Sequence, residues 1–313
     1  AAGNAVVAQP AAPALTSMQF GTGEVTLAQN ASATFMIPLL SSLIGCMQQK
    51  YLPLFLTSQL DLEIELNPEC IFYNAAPAGQ AALVAPTFEI TEVELHSQLV
   101  TFHGDINMRL QAMALQSGIY IKGTSWFNSS MPLPVNSGTI LISERLKSVK
   151  SMLLSFAYAR VDAANNNAPR YDWRALGRVS QNLNSLHVKI GSNFYPTQPI
   201  KGDASNANQV SEYLHELYKS MSEYGNVLNT GIINGTNFVK NDASTLNTVG
   251  RAVYGLDLDA FHKAPMESGV DMISNTPMLI QIGDNIAACT ATVYLLHDVT
   301  YGLRTGGSFV SVR

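Results

Sequence analysis

From residue 57 onward the chain is a succession of short β-type segments divided by Gly, Pro, Asn and Ser clusters, and that succession constrains its fold most. Residues 57–66 (TSQLDLEIEL) alternate without a break, with Leu60, Leu62, Ile64 and Leu66 on one side and Asp61, Glu63 and Glu65 on the other. Period two of that length predicts a half-buried antiparallel strand. Residues 87–102 (TFEITEVELHSQLVTF) predict a second long strand, enriched in β-branched and aromatic side chains. Segments 119–127 (IYIKGTSWF), 139–143 (TILIS) and 148–160 (SVKSMLLSFAYAR) follow. Two short helical patterns interrupt them, around 40–50 and 105–116.

Residues 161–178 (VDAANNNAPRYDWRALGR) break the pattern and read as a linker or an exposed crossing between domains. Strands resume over 183–196, and a helix is predicted at about 208–224. There Val210, Tyr213, Leu214, Leu217, Tyr218 and Met221 form one continuous stripe. Residues 225–250 are Asn-, Gly- and Thr-rich with little periodicity, which predicts an elaborated surface loop. The segments 277–282, 289–299 and 307–312 return to strand character. Runs of strands without βαβ alternation mean antiparallel sandwiches or barrels, so the fold class is all-β. At 313 residues the chain is long for one sandwich and comfortable for two domains of about 150 residues.

Apolar residues make up 47% of the chain and charged residues only 13%, which excludes a disordered chain, a coiled coil and a charge-laced helical array. So little charge also predicts that much of the surface is covered by something other than water. A net charge of −5 leaves no electrostatic footprint for nucleic acid. No run of 18 apolar residues predicts a transmembrane helix. Cys46, Cys70 and Cys289 fit neither a disulfide framework nor a CxxC metal site and suit a reducing compartment. Residues 1–16 are uncharged and Ala/Pro-rich, lack the basic region of a signal peptide, and read as an extended arm.

Residues that carry chemistry are scattered. Among His96, His103, His187, His215, His262 and His297, only His215-Glu216 opens an HExxH pattern, and Lys219 occupies the place of its second ligand. His96 and His103 are seven apart, on opposite faces of an extended chain. No GxSxG elbow, GxxxxGK[ST] loop or GxGxxG fingerprint occurs. Asp61, Glu63 and Glu65, with Glu89, Glu92 and Glu94, were they on neighbouring strands, would allow a glycosidase-type carboxylate pair. With only Trp126 and Trp173 for sugar stacking, a solvated strand face is the better reading. Asp257 and Asp259 fall short of a Ca²⁺ loop, Gly21, Gly23, Gly306 and Gly307 are turn glycines, and the sequons at Asn30, Asn128 and Asn234 are near chance. No catalytic, cofactor-binding or metal-binding residue is assigned, and no enzymatic activity is expected.

Read in order, the segments 36–66 (MIPLLSSLIGCMQQKYLPLFLTSQLDLEIEL), 88–102, the helical 105–118, IYIKGTSW, 143–160, 188–200, 255–261 and 268–271 resemble the double jelly-roll major capsid proteins of the lineage that includes phage PRD1, adenoviruses, virophages and Polinton-like viruses. That resemblance implies two tandem antiparallel eight-stranded jelly rolls, with an arm at 1–17, a first sandwich over 18–165 and a second over 166–313. It further implies homotrimers acting as pseudo-hexameric capsomers that tile an icosahedral shell. Neighbouring capsomers, minor capsid proteins and vertex (penton) proteins would be partners. The arm would lie on the inner side, against an internal membrane or adjacent capsomers, and 225–250 would form a tower or intersubunit loop. Assembly would take place in the host cytoplasm.

An uncharged arm is not expected to bind nucleic acid directly, so a membrane or a separate basic protein would lie between shell and genome. The helix at 208–224 is expected to pack on its own jelly roll, with a trimer interface as the second option. A tandem β-sandwich lectin or adhesin is the alternative function, although the sequence shows neither its loop site nor a secretion signal. A jelly-roll carbohydrate enzyme is the third.

Overall fold

The computed structural model describes residues 32, 34, 39, 52–56, 61–65, 89–158, 178–221, 233–239, 251–260, 268–273, 277–283, 288–303 and 309–312. The expected arm, the helical pattern at 40–50, nearly all of the 161–178 break and most of 225–250 lie outside them. So do Cys46, Cys70, His262, Trp173, Asn30 and the four turn glycines.

Nine strands are described: β1 (Ile119–Leu133), β2 (Thr139–Ile142), β3 (Val149–Tyr158), β4 (Ser185–Ile190), β5 (Asn193–Lys201), β6 (Val253–Asp257), β7 (Met278–Ile282), β8 (Cys289–Leu303) and β9 (Phe309–Val312). With them are the helices α1 (Gly104–Ser117), α2 (Ser211–Ser220) and α3 (Gly235–Phe238). Strand pairing is nested and antiparallel: β1 with β8, β2 with β7, β3 with β6, β4 with β5. Such a ribbon, wrapped so that successive pairs alternate between two layers, gives the sheets β1-β8-β3-β6 and β2-β7-β4-β5, as observed. That order is a jelly roll.

The strand sequences explain why the two layers close on each other. Every second residue of β2, β4 and β7 is buried: Ile140 and Ile142, then Leu186, Val188 and Ile190, then Met278, Ile280 and Ile282. Met152, Leu154 and Phe156 of β3 meet them from the other sheet, with Ala291, Val293 and Leu295 of β8. Burying one such side chain stabilises by about 1.5–3 kcal/mol, so these stripes fix the register. The β4–β5 hairpin turns tightly between Ile190 and Asn193, with Gly191 at φ 63°, a conformation that costs a glycine little.

β8 is longer than the sandwich needs. β1 pairs with it over its full length, while β3 covers its other edge from Cys289 to His297 and β9 from Thr300 to Leu303. α1 seats here through Ala114 against Ile121 of β1, and Leu52, Ile119 and Tyr301 pack against that pair.

The all-β, antiparallel-sandwich class is as expected, and among the described residues one eight-stranded sandwich is seen, over 119–303. Three finer expectations change. The sheets of this sandwich mix strands from both sides of residue 165, so the 165/166 boundary runs through a sandwich, not between two. Nested pairing explains why: the first and last strands must be neighbours, which a linear reading of halves does not reveal. Residues 61–65 and 89–102 carry no strand, although their alternation is as clean as that of β4. Period two specifies a face but supplies no neighbouring strand to pair with. The predicted helix of about 208–224 is shorter, Ser211–Ser220.

Candidate assembly surface

The residues considered for catalysis are not gathered. Asp61, Glu63, Glu65, Glu89, Glu92 and Glu94 are all exposed, and the two strands that would have set them side by side are absent among the described residues. His96 lies 3.3 Å from Glu94, and His103 lies 3.7 Å from Asp105, in both cases on the open surface. His187 stacks on Phe194 at 4.5 Å, with Nε2 2.9 Å from the Pro196 carbonyl. His215 is exposed on α2, as expected. Asp259 accepts a hydrogen bond from the Ser268 hydroxyl, and its neighbour Asp257 accepts one from the Asp259 N–H at 3.0 Å. Among the described residues no three His, Cys, Asp or Glu side chains are grouped to hold a metal ion, and no helix is long and apolar enough to cross a membrane.

One polar cluster was not legible beforehand. At the start of β3 the ladder to β8 shifts between Val149 and Ser151, and Lys150 sits at the shift. Its ammonium, 7% exposed, lies 3.3 Å from Asp298, 18% exposed. Ser148 donates to the same carboxylate at 2.5 Å and accepts from the Gly269 N–H at 3.0 Å. His297, also buried, is the next residue along β8. Strand, bulge and the Val149–Val270 bridge converge here, so the cluster ties the end of the β3–β8 ladder to the 268–273 loop. The hint in sequence is a lysine in a strand that carries no other charge.

The stripe of α2 is consumed internally. Tyr213, Leu217 and Ser220 are buried, and Gly255 of β6 lets the helix lie directly on the strand: a Cβ there would meet Leu217 Cα at 2.6 Å. Tyr213 stacks on Phe238 of α3 at 6.1 Å and meets Tyr254 edge-on at 5.1 Å. The Tyr254 hydroxyl donates to the Ser180 carbonyl at 2.6 Å and that of Tyr213 to the Leu183 carbonyl at 3.3 Å. Burial pushes both phenols above their ordinary range. The helix therefore packs on its own jelly roll, while Tyr218 of the same stripe stays exposed. Within the 225–250 loop, α3 is held by a capping box between Asn234 and Asn237, so the Asn234 sequon side chain is already engaged as a cap.

What remains open is apolar surface, and most of it precedes β1. Val93, Leu95 and Leu99 are 75%, 55% and 78% exposed, and Ile90, Val100, Leu62 and Ile64 are exposed as well. On α1 the Asn107, Leu110 and Ala114 side turns toward the body, while Ile106, Met108, Met113 and Leu115 face outward. Exposed apolar side chains in this number are a feature of interaction surfaces. They are the candidate functional site.

No family model matches the chain, and no curated protein does. Similar solved structures include PBCV-1 VP54, fitted into a reconstruction of the virophage Sputnik, at 10% identity over 67% of this chain and 54% of that one, with a TM-score of 0.39. The Faustovirus major capsid protein is similar at 11% identity, over 63% of this chain and 36% of that one, with a TM-score of 0.40. The mavirus major capsid protein is similar at 9% identity, over 65% and 43%, with a TM-score of 0.30. The chain thus spans about half or less of the length of the structures it matches. At these values the fold assignment rests on strand order and register, not on superposition.

Proposed function

We propose that this chain is a structural protein of a viral capsid that acts by self-assembly. One observation carries the reading: a jelly roll with a buried core of its own is preceded in the chain by a run of exposed apolar side chains, in a chain with only 13% charged residues. Large permanent interfaces are depleted in charge in this way. The resemblance of its segments to double jelly-roll major capsid proteins supports the same reading, and with it the homotrimeric, pseudo-hexameric capsomer of an icosahedral shell. In that arrangement the segment before residue 18 lies inward, over a membrane or neighbouring capsomers, and minor and vertex proteins join the lattice. No enzymatic role or direct genome contact is proposed.

Light scattering coupled to size exclusion tests it. A stable species near three times 33.8 kDa is expected. A clean monomer at every concentration overturns the capsomer reading, and glycan arrays then test the lectin alternative.

A further inference from the structure

Asn234 and Gly235 form the one Asn-Gly pair in the sequence, and the fold has a use for each. Asn234 caps α3: the Asn237 N–H donates to its Oδ1 at 3.0 Å, and its own N–H donates to Asn237 Oδ1 at 2.8 Å. Gly235 lies so close to the neighbouring turn that a Cβ would meet the Ala207 carbonyl oxygen at 2.5 Å. Asparagine is a thermolabile residue, and a following glycine, having no Cβ, leaves its amide nitrogen open to react. We propose that Asn234 is a latent deamidation site, which the capping box locks and opening of the 233–239 segment releases.

In the reaction the Gly235 nitrogen loses its proton and bonds to Asn234 Cγ, the Cγ–Nδ2 bond breaks, and Nδ2 leaves with that proton as ammonia. Water then opens the succinimide at either carbonyl, giving aspartate or isoaspartate, so the chain gains water and loses ammonia. Ring closure requires Asn234 Cβ and the Gly235 nitrogen to be eclipsed about the Cα–C bond. At ψ 171° they are staggered, and the cap holds the side-chain amide toward Asn237. Asn234 is exposed, so water reaches it and the lock is conformational. Isoaspartate routes the backbone through the side-chain carbons, which adds a methylene ahead of α3 and displaces the cap. The segment it would loosen is an anchor: Phe238 is buried against Tyr213 and Tyr254, the Tyr218 hydroxyl donates to the Ile233 carbonyl at 2.6 Å, and the Arg251 N–H donates to the Asn237 carbonyl at 3.0 Å. Deamidation therefore unfastens it irreversibly.

Peptide mapping of the full-length protein, incubated at mildly alkaline pH with and without urea, tests the proposal through the NH2-to-OH mass change and the isoaspartate fraction at position 234. In urea Asn234 is expected to react faster than any other asparagine. Folded, it is expected to react at least about tenfold more slowly, since the reaction must pass through local opening. Asn237→Ala, which removes half of the capping box, is expected to raise the folded-state rate a few-fold, whereas Asn237→Asp keeps the acceptor and is expected to keep the parent rate. Both variants are expected to match the parent in urea, so that a difference between folded proteins reads the cap. An Asn234 no faster in urea than the other asparagines overturns the site. Equal rates with and without urea, or an unchanged rate in Asn237→Ala, overturn the lock. Isoaspartate-containing protein whose 233–239 segment resists protease as well as the unmodified chain overturns the unfastening.

Discussion

The sandwich of β1 to β8 and the stretch from residue 89 to α1 are built from the same kind of sequence and end in opposite states. β4 (SLHVKI) and segment 91–96 (TEVELH) both alternate apolar with polar residues. In β4 the alternate residues Leu186, Val188 and Ile190 are no more than 4% exposed, because β5 and β7 supply hydrogen-bond partners and a facing sheet supplies the cover. In 91–96 neither is present among the described residues, and the same stripe stands in solvent. Burial is therefore a property of the pair of surfaces, not of either alone.

Paired truncations break or sharpen that comparison most strongly. Phe156→Ala removes a fully buried ring and is expected to cost about 3–5 kcal/mol in urea unfolding. Leu99→Ala is expected to change unfolding of the unassembled chain by less than about 0.5 kcal/mol while weakening assembly. Equal losses from the two would place Leu99 in a core and dissolve the contrast.

Asp298→Ala comes next, at about 3 kcal/mol, since Lys150 and Ser148 lose the acceptor they share at the end of the β3–β8 ladder. Salt titration of the variant and the parent separates a buried pair from a screened surface one: the parent's stability should change little with salt. Gly255→Ala drives a methyl group into Leu217 and Ser220 and is expected to cost about 1–3 kcal/mol, with loss of helical circular dichroism as α2 lifts from β6. Asn234→Ala removes the cap on α3 and should cost about 1 kcal/mol, a test of how firmly the loop is tied to the Phe238 cluster.

The smallest effect is chemical. Burial pushes the Cys289 thiol up to about 11, so the neutral form is favoured in the folded chain. Its contribution is present below the ordinary thiol value and is lost as the pH rises through about 11. Peptide mapping after thiol labelling at pH 8 should therefore find Cys289 unmodified until the sandwich is unfolded.

The legible part of this protein is its set of local periods. The segments at 119–127, 139–143, 148–160, 277–282 and 289–299 all fall on observed strands, and the 105–116 pattern falls on α1. β1 and β8 run longer than their sequence signals because each is continued by pairing with the other. Lys150 and Asp298 lie 148 residues apart and could not be matched by spacing. Their meeting depends on the nested pairing that brings β3 against β8. The same holds for Gly255, whose small size matters only because α2 crosses there.

The sequence by itself determined an all-β chain, its strand and helix positions within the sandwich, the absence of familiar catalytic motifs, and an apolar surplus that needs covering. Tertiary structure alone decided which strands are neighbours, that residues on both sides of 165 share one jelly roll, and that α2 spends its apolar face on β6. It also decided that the alternation at 61–65 and 89–102 lies outside the core of the described residues. The physical reason is common to all of these. A period describes the residues of one segment, whereas pairing, burial and exposure belong to two surfaces that only the folded chain brings together.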